Sequence, residues 1–180
     1  MNDKLVFFDD CLQSMKETSR DFANQESMCD LEIEVVNFDK VKDKYVKIVC
    51  PPCGAKSVDA LLRLEDKSIL IEFRNKGYED DRMSGSELFG IKEKIYDSLL
   101  IYCDITEKTI SNTRENLDFI LVHNSEKSRS REYIEDHINA KANNEEMIRF
   151  GLQKYQKLYF KHVHTYDKAK FMNYMSTMLS

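Results

Sequence analysis

A three-layer α/β/α sandwich around a central mixed sheet is the fold class the sequence predicts, carried by a single domain over residues 1–180. Three observations point there. Two β-prone runs, residues 57–64 and 68–74, are joined by the polar segment Glu65-Asp66-Lys67, which reads as a hairpin. After it, Leu88, Ile91, Ile95, Leu99 and Cys103 recur at helical spacing. Short apolar runs then return at residues 119–122 and 159–164, so strands and helices interleave as they do when helices cover both faces of one sheet.

Composition sets the frame. With 42% hydrophobic and 33% charged residues, 5 Gly and 2 Pro, the chain is globular and ordered in character. A chain of this size can bury roughly 70% of its unfolded surface without a metal or disulfide staple. Apolar stretches such as Leu99-Leu100-Ile101-Tyr102-Cys103 are too short to span a bilayer. Asp3, Asp9 and Asp10 stand where a signal peptide would be basic and then apolar. Five cysteines, an odd number, fit reduced thiols and a cytoplasmic setting without structural disulfides. The net charge of −5 divides unevenly: 17 Lys and Arg face 25 Asp and Glu in residues 1–120, a net −8, and 10 face 7 in residues 121–180, a net +3. That balance argues against a promiscuous nucleic-acid binder, which needs a strongly basic face. Lys127, Arg129, Arg131, Lys154, Lys157 and Lys161 read as a solvated charged face or a local basic surface.

Along the chain, Phe8, Cys11, Leu12, Met15 and Phe22 approach helical spacing and predict an opening amphipathic helix. Leu31, Ile33 and Val35 alternate with Glu32 and Glu34 as a half-buried strand would, and residues 45–49 form a second β-prone run. Pro51-Pro52 interrupts regular structure, because neither residue has an amide hydrogen to donate. Residues 75–86 form a polar loop that ends at Ser86, a candidate N-cap for the long helix. A polar helix-prone segment spans about residues 132–157, and Asp167 can cap a closing helix with Phe171, Tyr174, Met175 and Met178 on one face.

Two acids stand out within this frame. Asp59 lies near the start of the first hairpin strand, and Glu72 lies in the apolar run Ile69-Leu70-Ile71-Glu72-Phe73-Arg74. Acids are seldom fully buried without a partner and form strands poorly. Residues two apart in a strand point the same way, so Glu72 and Arg74 share a face while Ile71 and Phe73 pack on the other. Asp59 can then lie across the hairpin from them. Two carboxylates, a backbone carbonyl and water would suit Mg²⁺, while a neighbouring cation steadies developing negative charge. A sheet-end ion pair between Glu72 and Arg74 is the competing structural explanation.

A hairpin with one Asp, an apolar strand ending Glu72-Phe73-Arg74, a long helix and another strand resembles the PD-(D/E)XK nuclease superfamily. The likeness covers about residues 5–125, with residues 126–180 as a C-terminal extension. It implies a restriction-endonuclease-like core and hydrolysis of nucleic-acid phosphodiester bonds. It also implies Asp59 and Glu72 as ligands for Mg²⁺ or Mn²⁺, and a homo-oligomer of the kind many members form. Arg74, helped by Lys76, takes the place of the lysine that assists the attacking water. Arginine stays protonated to a pKa above about 12 and is a poor proton carrier, although it clamps a phosphate well. Lys92 or Lys94 on the following helix could substitute, and Glu17, a further acid, reads as a solvated helix-end residue. The spacing of Ile95-Tyr96-Asp97-Ser98-Leu99-Leu100, Thr113-Arg114-Glu115-Asn116 and Arg149-Phe150-Gly151-Leu152 also resembles uncharacterised bacterial proteins, clostridial ones included, with a nuclease-like core. A second function class stays open: a nuclease-like fold without chemistry that binds a protein partner, such as an immunity or anti-phage protein.

Other motifs speak more softly. Cys50-Pro51-Pro52-Cys53 has the spacing of a redox pair but is followed by Gly54 and a hairpin rather than a helix. His162 and His164 share one face of the expected last strand, either as exposed polar residues or as metal ligands, though a zinc site would need further ligands from elsewhere. No G-x-S-x-G, Walker A or G-x-G-x-x-G pattern occurs.

Overall fold

A computed structural model describes residues 6–49, 54–78, 82–127 and 148–179. The chain opens with α1 (Val6–Asp9), β1 (Leu12–Ser14) and α2 (Met15–Thr18), followed by a two-stranded ribbon of β2 (Arg20–Asp21) and β3 (Glu26–Ser27). Next come β4 (Glu34–Asn37), α3 (Phe38–Val49), β5 (Ala60–Arg63) and β6 (Ser68–Arg74). Then follow α4 (Gly85–Thr106), α5 (Ile110–Asn116), β7 (Leu117–His123), β8 (Val163–Asp167) and α6 (Lys168–Leu179). Six of these strands form one mixed sheet in the order β1-β4-β5-β6-β7-β8. Pairing is antiparallel from β1 to β6 and parallel from β6 to β8. Helices flank the sheet, as the sandwich reading requires.

The strand period of two sorts the core into two layers. Leu61, Leu70, Phe119, Leu121 and Val163 point to one face and pack with Val41 of α3 and Ile91, Ile95 and Leu99 of α4. Ala60, Ile69, Ile71, Phe73, Ile120 and Val122 point to the other and pack with Phe171 and Met175 of α6. All seven residues of β7 are buried, as expected for a strand covered on both sides. Each large apolar side chain so enclosed contributes about 1.5–3 kcal/mol by leaving water. The hairpin of β5 and β6 is present with Ala60 opposite Ile71 and Arg63 opposite Ser68. Asp167 caps α6, its Oδ1 accepting the Lys170 amide at 2.7 Å.

Local expectations fail for physical reasons in the opening segment and at residues 45–49. The opening segment is not one helix: Phe8 and Cys11 serve the α4 layer while Met15 serves the α6 layer. One continuous helix face could not supply both sides of a sheet, so Leu12–Ser14 pairs with β4 as an edge strand instead. Residues 45–49 end α3 rather than forming a strand, because Phe38, Val41 and Tyr45 recur at helical spacing against the α4 layer and that period overrides β propensity. Of the expected helix over residues 132–157, the described part holds Leu152–Tyr155 as a single 3₁₀ turn that buries Leu152 and Tyr155. Its earlier part lies outside the described residues, as does Cys50-Pro51-Pro52-Cys53. Cys11, Cys29 and Cys103 carry free thiols. Among the described residues, no helix is long and apolar enough to cross a membrane.

Candidate functional site

Asp59 is set in place by backbone bonds on both sides. Its amide donates to Ile71 O at 3.1 Å, and its carbonyl accepts the Phe38 amide at 3.0 Å. The residues just before it are tied to α4: Val58 N–H donates to Ser98 Oγ at 2.9 Å, and Lys56 N–H to Asp97 Oδ2 at 2.8 Å. With Ala60 opposite Ile71, the antiparallel register carries Asp59 to the level of Glu72. The Asp59 carboxylate then closes the end of the ladder, Oδ2 accepting the Phe73 amide at 2.6 Å.

Glu72 follows Leu70 on the α4 side of β6, two residues before the strand ends at Arg74. It is fully buried. An unpaired carboxylate there would be costly, and the partner comes from α4. That helix starts at Ser84, whose Oγ accepts the Glu87 amide at 3.3 Å, and its inward stripe runs through Ile91 and Ile95. Lys94 lies beside that stripe, and its Nζ bonds both Glu72 oxygens at 2.9 Å and Asp59 Oδ1 at 3.4 Å. One ammonium thus bridges two carboxylates.

Burial pushes the Glu72 carboxyl up to about 8, with the neighbouring Asp59 charge adding to the shift and Lys94 and Arg74 opposing it. Asp59 also moves upward through burial, against the pull of Lys94 and the Phe73 amide. For Lys94, burial alone would favour the neutral amine, but Glu72 and Asp59 outweigh it and hold the ammonium above its ordinary value. Physically, the two acids cannot both shed their protons cheaply in this setting, and Lys94 stays charged throughout the neutral range.

The other expected site residues divide. Arg74 is at the cluster: its Nε lies 2.9 Å from Glu72 Oε1 as a charge contact. That nitrogen is buried and not aligned to donate a hydrogen bond. Lys76 is turned away, pairing with Glu87 at 3.1 Å and lying over the Tyr78 ring. Of the two helix lysines, Lys94 reaches the acids. Glu17 lies 3.9 Å from Arg20, with about half of its side chain exposed. The sequence held a signal for Lys94 that outranks Lys76: it adjoins Ile95 and stands three residues after Ile91 on an apolar helix face, where a cation needs a buried acid as partner.

A second group lies on the opposite side of the sheet. Asp118, His162 and His164 offer ligand atoms all within 4.8 Å of one another and could hold a metal ion. The two histidines are those whose spacing the sequence brings to notice, whereas Asp118, hidden at the start of an apolar strand, was missed. Comparison with known proteins finds no match among family models, curated proteins or solved structures. What the fold and site define is an α/β/α protein with an Asp–Glu–Lys cluster, its Glu72 fully buried, where β5, β6 and α4 meet.

Proposed function

We propose that the protein is a metal-dependent phosphodiesterase of the PD-(D/E)XK type acting on nucleic acid, with Asp59 and Glu72 as the ligands of Mg²⁺ or Mn²⁺. The observation that carries this reading is the convergence of both acids on one cation, Lys94, with Arg74 beside them. A site that already accommodates a positive charge between two carboxylates has the donor set for a hard divalent ion, with waters completing its shell. Such an ion, when bound, supplies Lewis acidity toward a phosphodiester oxygen and a more acidic water. Lys94 would then move off the carboxylates and hold its proton beside the attacked phosphate, in the role the superfamily pattern gives to a strand lysine. Arg74, whose side chain is 29% exposed, reaches outward from the same cluster and suits a phosphate oxygen better than proton transfer.

A second reading has its own observations. The cluster is internally neutralised, and Phe89 and Leu100 stand 61% and 62% exposed on α4. A nuclease-like fold that keeps Lys94 locked on its acids and uses α4 as an apolar docking face would bind a protein partner without chemistry. Calorimetric titration with Mg²⁺ and Mn²⁺ separates the two. Binding that Asp59→Asn and Glu72→Gln each abolish supports the enzyme, and a wild-type protein that takes up neither ion leaves the binding module.

A further inference from the structure

We propose that Asp118, His162 and His164 form a site for a borderline transition metal, Zn²⁺ above all, independent of the Asp59–Glu72 cluster. The strand register builds it. Phe119 pairs with Val163 across the parallel strands β7 and β8, which brings Asp118 beside His162. His164 follows two residues on and therefore shares a face with His162. That face is the α6 side, since Asp118 shares it with Ile120 and Val122, and His164 with Tyr166. The Asp59–Glu72 cluster sits on the α4 side, so the two groups are separated by the sheet.

The donor set selects the metal. Two imidazoles and one carboxylate suit Zn²⁺ and its neighbours Co²⁺ and Ni²⁺ rather than Mg²⁺ or Ca²⁺, which favour oxygen. His162 Nδ1 lies 3.0 Å from Asp118 Oδ1. That is close to the edge of about 3.3 Å expected between ligands of a tetrahedron with bonds of about 2.0 Å.

Groups behind the ligands fix them in orientation, as outer partners do in metal centres. Lys67 Nζ holds Asp118 Oδ2 at 3.0 Å, and the His162 amide donates to Oδ1 at 3.1 Å. Tyr166 Oη is 3.0 Å from His164 Nδ1 and helps to orient that ring. The His164 ring also lies against Tyr166 and Tyr174, with centroids 5.2 and 5.6 Å away. Asp118 is buried while His162 is 49% exposed, so an ion can reach the carboxylate past the outer imidazole. Three protein ligands leave the fourth position for water, and the ion would pin β8, an edge strand of the described sheet, to β7.

The test is a titration of chelator-treated protein with Zn²⁺ by calorimetry and with Co²⁺ by its ligand-field absorption, using His162→Ala, His164→Asn and, as a control, Glu72→Gln. Expected are one equivalent of Zn²⁺ bound at micromolar Kd or tighter, a rise in Tm with added Zn²⁺, and tetrahedral Co²⁺ absorption. Each histidine variant should lose more than about 100-fold in affinity, beyond the roughly 10–100-fold that a lost outer-shell partner costs, with Glu72→Gln binding like the wild type. His162→Ala removes a half-exposed side chain and leaves the core intact, so its loss of binding cannot be put down to unfolding. The proposal is overturned if the wild type binds no Zn²⁺, if the histidine variants bind as it does, or if Mg²⁺ competes on equal terms.

Discussion

Replacing Glu72 by Gln should make the metal-free protein more stable at mildly alkaline pH. The carboxyl moves from an ordinary 4.5 to about 8 on folding. An acid whose pKa is raised in the folded state contributes stability that is fully present below pH 4.5 and lost as pH rises through 8, because folding then forces a buried ionisation. Taken alone, a displacement of that size corresponds to roughly 5 kcal/mol, at about 1.4 kcal/mol per pH unit. The working figure is smaller, since removing the Glu72 charge also eases ionisation of Asp59: about 2–4 kcal/mol between pH 5 and 8.5. Lys94 is charged in both states across this window and adds no slope. At pH 5 the protonated acid and the amide are near equivalents, so wild type and variant should unfold at similar denaturant concentration. By pH 8.5 the variant should lead by the stated amount. Urea unfolding in EDTA across that range reads the difference. Two parallel curves, or a variant weaker at pH 8.5, would refute the reasoning and show that Glu72 is an ordinary ionised partner of Lys94.

Two further substitutions probe how the cluster is held. Lys94→Met leaves two carboxylates sharing one site, and should cost about 3–5 kcal/mol at pH 8.5 but clearly less at pH 5, where Glu72 keeps its proton; equal loss at both pH values would contradict this. Ser98→Ala strips the acceptor from the buried Val58 amide, which should cost about 1–3 kcal/mol in urea unfolding. It should also weaken Mg²⁺ binding, because that bond anchors the chain leading into Asp59.

Much of the architecture was legible because it rests on strong periodic signals. The hairpin of β5 and β6, the long helix α4 and the cap at Asp167 each follow from patterns that tertiary packing reinforces. The start of the chain was not, since the spacing from Phe8 to Met15 fits a helix, and only the presence of a sheet between Cys11 and Met15 decides for a strand. At the site, Asp59 and Glu72 announce themselves as acids in apolar strands, and Glu72-Phe73-Arg74 places Arg74 beside them. Lys76 misled because strand alternation extends to it in sequence, whereas β6 ends at Arg74 and the chain turns toward Glu87. Choosing Lys94 over Lys92 needs the rotation of α4 about its axis, which is fixed by Ile91 and Ile95 packing on the sheet. Asp118 is invisible for a related reason: its partners Lys67 and His162 lie 51 and 44 residues away in the chain.

The most direct test of the central claim is incubation of the purified protein with plasmid DNA, single-stranded DNA and RNA in Mg²⁺ or Mn²⁺, alongside Asp59→Ala and Glu72→Ala. Cleavage of at least one substrate by the wild type, lost in both variants and in EDTA, is the expected result. No cleavage of any of them, or cleavage that survives both substitutions, would contradict the assignment of the Asp59–Glu72 cluster as a nuclease centre.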